Sequence, residues 1–110
     1  MSGRYRVQFS EAAVRDLEAF SEYVGLRSPK AAKDLVRKLR RRGRSLFFNP
    51  LRGRTVPELL DLGITAFREL IEPPHRIIYR IVEKEVLIVG VFDGRRDLED
   101  LLLERLIRPT

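Results

Sequence analysis

The stretch that decides the fold is FRELIEPPHRIIYRIVEKEVLIVGVF, residues 67–92. It contains three runs rich in β-branched and aromatic residues, and such runs are typical of strands. Pro73-Pro74 forces an extended break after the first run, at Phe67–Ile71. Only three polar residues separate the next two runs, Arg76–Val82 and Val86–Phe92. These two runs are therefore predicted to pair as an antiparallel hairpin.

Upstream of these runs the sequence predicts one strand and two helices. Residues 5–9 alternate between apolar and polar side chains, as in a half-buried strand. Ser10 is predicted to cap a helix that ends at Gly25, and Ser28-Pro29 begins a second helix that ends by Asn49-Pro50. A turn-rich loop is predicted over residues 51–65.

Downstream, Asp97 is predicted to cap a last helix with an apolar stripe of leucines. The predicted order is β-α-α-β-β-β-α. We expect an α+β fold, in which an antiparallel β-sheet packs against an N-terminal helical hairpin. The last helix is expected either to cover the remaining face of the sheet or to stay partly exposed and bind a partner.

Composition narrows the function classes. A length of 110 residues fits one domain over residues 1–110. The chain has no cysteine and one histidine, so we expect no disulfide, no metal site and no cofactor. No apolar run approaches the roughly 20 residues that cross a bilayer. The sequence therefore predicts a soluble cytoplasmic protein without a membrane partner.

The charge is concentrated in one segment. The chain carries a formal charge of +6, and 11 of its 22 Lys and Arg residues lie between Arg27 and Arg54, where Asp34 is the only acid. Such a segment predicts a positive surface for nucleic acid or for an acidic protein segment. The alternative is a solvated helix face that binds nothing.

A second cationic feature is expected at one end of the predicted hairpin. Its far end, at Arg95 and Arg96, returns to the neighbourhood of Arg76, so these three arginines are expected to lie close together. Guanidinium groups bind phosphate through paired hydrogen bonds, which makes an anion site one interpretation. The alternative is that Arg95 and Arg96 pair with the carboxylates of Asp93, Asp97 or Glu69.

Three stretches resemble the RelE/ParE superfamily of bacterial toxins: GRTVPEL (53–59), RELIEPPHRIIYRI (68–81) and VFDGRRDLEDLL (91–102). The resemblance spans nearly the whole chain and implies the fold described above. It also implies a toxin of a type II toxin–antitoxin module, which a cognate antitoxin keeps inactive. RelE-like members are endoribonucleases that cut mRNA on the ribosome, whereas ParE-like members inhibit DNA gyrase and catalyse no reaction.

The resemblance to the ribonuclease branch is incomplete. Arg76 matches the family arginine that contacts the scissile phosphate, Arg95 or Arg96 falls near a second cationic position, and Glu58 resembles the base of one subgroup. Ribonuclease members commonly carry a C-terminal tyrosine or histidine, whereas residues 99–102 here are EDLL. His75, beside Arg76, could titrate near neutrality, but a structural role is the alternative.

The VPEL loop and the GRRDL ending resemble the ParE branch, so gyrase inhibition without catalysis is the first prediction. A RelE-like ribonuclease and a simple nucleic-acid-binding module are the alternatives. For the latter, Phe47 and Phe48 follow the arginine run, but the sequence indicates no clear stacking platform. The residues expected to bind the target or the antitoxin are Arg37, Arg40, Arg41, Arg68, Arg76, Arg95, Arg96, Leu101 and Leu102.

Overall fold

The computed structural model describes residues 4–107. The strands are Arg6–Phe9 (β1), Arg54–Thr55 (β2), Phe67–Glu72 (β3), His75–Val82 (β4) and Glu85–Asp93 (β5). The helices are Glu11–Gly25 (α1), Pro29–Arg44 (α2), Pro57–Leu60 (α3) and Glu99–Leu102 (α4). A π-helical turn, Leu103–Ile107, extends α4. No helix among residues 4–107 is long and apolar enough to cross a membrane.

Side-chain caps fix where the two long helices begin. The Ser10 hydroxyl accepts the backbone N–H of Ala13 at 3.1 Å, and the Ser28 hydroxyl accepts that of Ala31 at 3.1 Å. Each bond satisfies one of the N–H groups that a first helical turn leaves without a partner. Pro29 occupies the first turn of α2, where its missing N–H costs nothing. The predicted starts of both helices are confirmed.

The sheet has the order β1-β5-β4-β3-β2. β4 pairs with β5 in antiparallel register, with Val82 opposite Glu85, so the predicted hairpin is confirmed. β1, however, runs parallel to β5, and the sheet is therefore mixed rather than wholly antiparallel. Alternating side chains predict a strand but carry no information on its direction, and the two-residue β2 is too short to show alternation at all. The α+β class is confirmed.

Each face of the sheet carries its own core. On one face, α1 and α2 pack through Leu17 and Leu39 against Ile77 and Tyr79 of β4. On the other face, a second cluster contains Ile78 together with leucines of residues 98–107, which we call the α4 segment. The last helix therefore covers the second face of the sheet, the first of the two arrangements expected from its leucines.

Two buried leucines hold the α4 segment against the sheet. Leu98 and Leu102 are fully buried in the second core. Asp97 accepts the N–H of Glu99 at 3.3 Å, but the N-cap of α4 is Leu98, which makes no capping bond through its side chain, so the prediction that Asp97 caps this helix is wrong by one residue. Leu101 is half-buried, but Leu102 has no exposed surface. The burial of Leu102 favours a role in the core, and its predicted role in binding a partner stays a prediction.

Candidate functional site

The centre of the candidate site is the buried guanidinium of Arg76. Strand alternation places Arg76 and Glu69 on the face of the sheet that α4 covers. Arg76 Nε donates to Glu69 Oε1 at 2.6 Å, and its two terminal nitrogens donate to both oxygens of Glu58 at 2.7 Å each. Only 7% of Arg76 is exposed. All three guanidinium nitrogens therefore already bind carboxylates.

A second arginine completes this group. The pairing of β2 with β3 places Arg54 opposite Glu69, and Arg54 Nε donates to the free Glu69 oxygen at 2.6 Å. We call Arg54, Glu58, Glu69 and Arg76 the Arg76 cluster. Its two cations and two anions alternate, so their formal charges cancel. Glu69 has no exposed side-chain surface, and both of its oxygens accept hydrogen bonds from arginines, as a buried polar group requires.

The expected convergence of three arginines occurs only in part. Arg95 lines a cavity of about 270 Å³ together with Arg54 and Arg76. Arg96 instead lines a different cavity, of about 220 Å³, between α1 and the α4 segment. Arg95 also pairs with Asp93, with Nη2 and Oδ2 2.8 Å apart, and hydrogen bonds from Arg95 hold the pKa of Asp93 well below its usual range.

The alternative in which Arg95 and Arg96 pair with carboxylates therefore holds for Arg95, which pairs with Asp93, whereas Arg96 forms no ion pair within residues 4–107. Arg54, Arg76 and Arg95 in the 270 Å³ cavity are matched by Glu58, Glu69 and Asp93.

The loop over this cavity also restricts access to Arg76. The N–H of Gly94 donates to the carbonyl of Pro74 at 2.7 Å, and a Cβ at Gly94 would lie 3.0 Å from Arg76 Cδ. Glycine therefore lets the Asp-Gly-Arg-Arg turn lie directly against the Arg76 side chain.

Glu58 is poorly suited to act as a base. The hydrogen bonds from Arg76 lower the pKa of the Glu58 carboxyl, so it holds a proton less readily than an ordinary glutamate. Both of its oxygens are occupied by Arg76. A general base works best with a pKa near the working pH. The lowered pKa of Glu58 does not meet this condition, and its contact with Arg76 through both oxygens competes with a substrate.

His75 packs as a core residue. It is 8% exposed, and its ring meets the ring of Phe20 edge-on with centroids 4.7 Å apart. Burial lowers the pKa of His75, which favours the neutral imidazole at neutral pH. These contacts fit the structural role better than proton transfer.

Arg68 organises the loop before β2. Its Nη1 donates to the carbonyl oxygens of Gly53 and Leu51, at 2.7 and 3.3 Å. The buried Tyr79 hydroxyl accepts the N–H of Gly53 at 3.1 Å and donates to the carbonyl of Pro50. Arg68, expected as a binding residue, thus positions the short strand that carries Arg54.

The basic helix α2 divides its cations between internal contacts and solvent. Arg42 pairs with Glu72 at 3.3 Å, and the Arg40 guanidinium lies 5.7 Å from the centroid of the Phe9 ring. Arg37 lies 3.6 Å from Asp34 but stays largely exposed. Among residues 4–107, Arg41 forms no ion pair, and it is exposed. The exposed positive charge on α2 comes from Lys30, Lys33, Arg37, Lys38, Arg41 and Arg44.

A groove of about 390 Å³ lies between α1 and α2. Leu17 and Val36 contribute apolar surface to it, and Lys33, Arg37 and Arg40 contribute positive charge. Within residues 4–107, no group of three or more His, Cys, Asp or Glu side chains could hold a metal ion.

Sequence reasoning missed two contacts of this region. Arg54 was not singled out, because a two-residue strand leaves no periodic signal. Arg105 was also missed: its Nη2 lies 3.1 Å from Asp16 Oδ2, and the same Asp16 oxygen accepts the N–H of Val91 at 2.9 Å. This ion pair connects the α4 segment to α1 and β5. An isolated arginine within a leucine-rich segment was the available signal for Arg105.

The Glu58–Arg76 contact predicts a pH dependence of stability. Because the folded-state pKa of Glu58 lies below its ordinary value of 4.5, its contribution is present above that value and is lost as the pH falls through the folded-state pKa. Glu58→Gln should therefore destabilise the protein at pH 7, with a difference that shrinks at pH 3. Urea unfolding of both proteins at the two pH values measures this, and a difference independent of pH would contradict it.

Comparison with known proteins identifies the class of this fold. The sequence model of the family described as "ParE toxin of type II toxin-antitoxin system, parDE" matches residues 7–98. The protein is thus a type II toxin of the RelE/ParE superfamily. Because the match covers most of the chain, it belongs to the ParE toxin family, and the ParE-like resemblance of its sequence is confirmed.

Solved structures share the fold. The structure titled "Chromosomal ParDE TA system from P. aeruginosa" superimposes with a TM-score of 0.68 and 23% identity, covering 84% of this chain and 98% of that chain. The toxin–antitoxin complex RelBE2 from Mycobacterium tuberculosis gives a TM-score of 0.58 and 23% identity, covering 84% of this chain and 94% of that chain. Among curated proteins, none matches significantly.

Proposed function

We propose that this toxin inhibits DNA gyrase without catalysing a reaction, and that a cognate antitoxin neutralises it. The observation that supports this proposal most is that Arg76 is already paired with carboxylates. RNA cleavage needs cationic donors directed at the phosphate, together with a base and an acid. In the Arg76 cluster three of the five N–H donors of Arg76 bind Glu58 and Glu69 instead.

The other candidate groups also favour inhibition over RNA cleavage. Glu58 has a lowered pKa and both oxygens occupied, and His75 is buried against Phe20. Residues 99–102, EDLL, contain neither tyrosine nor histidine. A toxin that binds its target through a surface needs none of these groups.

The surface proposed to meet gyrase, or DNA bound to gyrase, is the exposed side of α2. Arg37 and Arg41 project their charge into solvent there, whereas Arg40 and Arg42 contact Phe9 and Glu72. Replacing Arg40 or Arg42 would therefore disturb packing as well as charge. The informative substitutions are at Arg37 and Arg41.

The antitoxin is proposed from the two solved relatives, whose titles describe toxin–antitoxin systems. The groove between α1 and α2 offers a physical rationale. Its leucine and valine surface and its cationic rim suit an acidic segment with apolar anchors that folds as it binds. Opposite charge would also speed the association.

Arg37→Glu with Arg41→Glu is expected to weaken inhibition of gyrase supercoiling by about tenfold or more. Reversing two charges places like charges against an anionic surface, which costs on the order of a kcal/mol or more. The measurement is a gyrase supercoiling assay titrated with purified toxin. Addition of the cognate antitoxin to the assay with unsubstituted toxin should restore supercoiling.

Arg15→Glu with Arg27→Glu is the matched control, because both side chains are exposed and the net charge changes equally. This variant should inhibit gyrase like the unsubstituted toxin. Full inhibition by the Arg37 and Arg41 variant would refute the proposed surface. Ribosome-dependent mRNA cleavage that is abolished by Glu58→Gln in a folded toxin would refute the proposed mechanism and support the RelE-like alternative.

A further inference from the structure

We propose that the turn following α2 binds single-stranded nucleic acid. Bases would stack on the exposed rings of Phe47 and Phe48, and phosphates would bind Arg41 and Arg44. We call the two rings the Phe47–Phe48 platform. This inference does not depend on the gyrase assignment.

The platform is an exposed apolar surface. Phe47 is 45% exposed and Phe48 is 59% exposed, and the neighbouring Leu51 is 62% exposed. The two ring centroids lie 6.4 Å apart, with the ring planes inclined by 51°. Contiguous exposed apolar side chains of this size commonly mark a binding surface. The structure thus provides the stacking surface that the sequence alone did not indicate.

The backbone beneath the platform is held in place. The carbonyl of Phe47 accepts the N–H of Tyr5 at 2.9 Å, and the carbonyl of Phe48 accepts Nη1 of Arg52 at 2.7 Å. Arg52 also donates to the carbonyl of Ser45 at 3.2 Å. The rings are therefore presented on a fixed turn, so a ligand need not order this backbone when it binds.

The charged residues in the sequence around the platform are all positive. Residues 35–57 contain eight Lys and Arg residues and no Asp or Glu. Arg41 and Arg44 lie three residues apart on α2, which places them toward the same side of the helix, and Phe47 and Phe48 follow Arg44 within four residues. Both arginines are exposed, and neither forms an ion pair with any residue of the 4–107 segment.

This combination favours a nucleic acid over a protein ligand. Protein interfaces also use aromatic and Arg side chains, but here the sequence around the apolar surface carries eight cations and no acid, which suits a regularly anionic ligand. A single strand offers what the surface lacks, namely planar apolar faces and regularly spaced anions. A duplex conceals its base faces within the stack. Single strands should therefore bind more tightly than duplexes of the same length.

The test is fluorescence anisotropy of full-length toxin with labelled dT12, rU12 and a 12-base-pair duplex. Phe48→Ala should weaken binding of single strands by about fivefold or more, the scale of one lost base stack. Arg41→Ala with Arg44→Ala should reduce the slope of log affinity against log salt by about 1.4, since each phosphate contact contributes roughly 0.7. Comparing dT12 with rU12 distinguishes DNA from RNA as the preferred single strand.

Tyr23→Ala is the matched control, since Tyr23 is an aromatic residue that is 70% exposed near the end of α1. It should bind single strands like the unsubstituted toxin. If duplex and single strands bind equally and Phe48→Ala does not change the affinity, the proposal is overturned, and charge alone accounts for the binding. Absence of oligonucleotide binding, with Phe48→Ala weakening a complex with gyrase or antitoxin, would instead make the platform a protein surface.

Discussion

Replacing Arg76 by alanine is expected to lower the free energy of unfolding by about 3–5 kcal/mol. The substitution leaves Glu69, whose side chain has no exposed surface, with only the partly exposed Arg54 as a partner. It also releases Glu58, which accepts two hydrogen bonds of 2.7 Å from Arg76. The main cost is that one oxygen of the buried Glu69 carboxylate loses its partner. Urea unfolding at pH 7, followed by circular dichroism, measures it.

Arg95→Ala is the matched control for this prediction. Arg95 lines the same cavity but its side chain is 75% exposed, and its partner Asp93 lies near the surface. Exposed ion pairs contribute about 1 kcal/mol or less, so this variant should unfold nearly like the parent. Equal losses in the two variants would contradict a stabilising role of the Arg76 cluster.

This difference bears on how activity of Arg76 variants is interpreted. Loss of toxicity in Arg76→Ala would follow from partial unfolding as readily as from loss of a phosphate contact. Only toxicity measured beside stability separates the two. Glu58→Gln keeps the shape of the side chain and removes its charge, so it tests the contact more gently.

Much of the fold could be predicted because local chemistry determines it. Ser10, Ser28 and Pro29 specify helix starts through hydrogen bonds within one turn, and these local bonds occur as expected. The β4–β5 hairpin follows from a short polar break between two apolar runs. Each of these features depends on residues that are close in sequence.

The remaining features depend on pairing between distant segments. β1 pairs with β5 in parallel although three helices, α1 to α3, and three strands, β2 to β4, separate the two along the chain. Arg54 meets Glu69 only through the pairing of β2 with β3. The contacts of Arg76 likewise depend on Glu58 of α3 and on Gly94 after β5, which lie far from it in sequence. The composition shows how many cations the chain has, but which carboxylates they pair with depends on the tertiary structure.

The second large effect on stability is expected at Leu102, in the last helix. Leu102→Ala is expected to lower the free energy of unfolding by about 2–5 kcal/mol, through lost apolar burial and the cavity that remains. Leu102 is fully buried beside Ile78, Phe92 and Leu98. The Asp16–Arg105 ion pair limits how far the α4 segment can move to fill the space. Urea unfolding of the isolated toxin measures the loss.

Leu101→Ala is the matched control, because the adjacent leucine is only half-buried and should cost less. The pair also decides between core and interface. If Leu102 served mainly to bind the antitoxin, its truncation would weaken the complex and leave the stability of the free toxin unchanged. A core residue does the reverse: the free toxin loses stability, and antitoxin affinity measured on folded protein at low temperature stays near that of the parent. The complete burial of Leu102 predicts this second outcome.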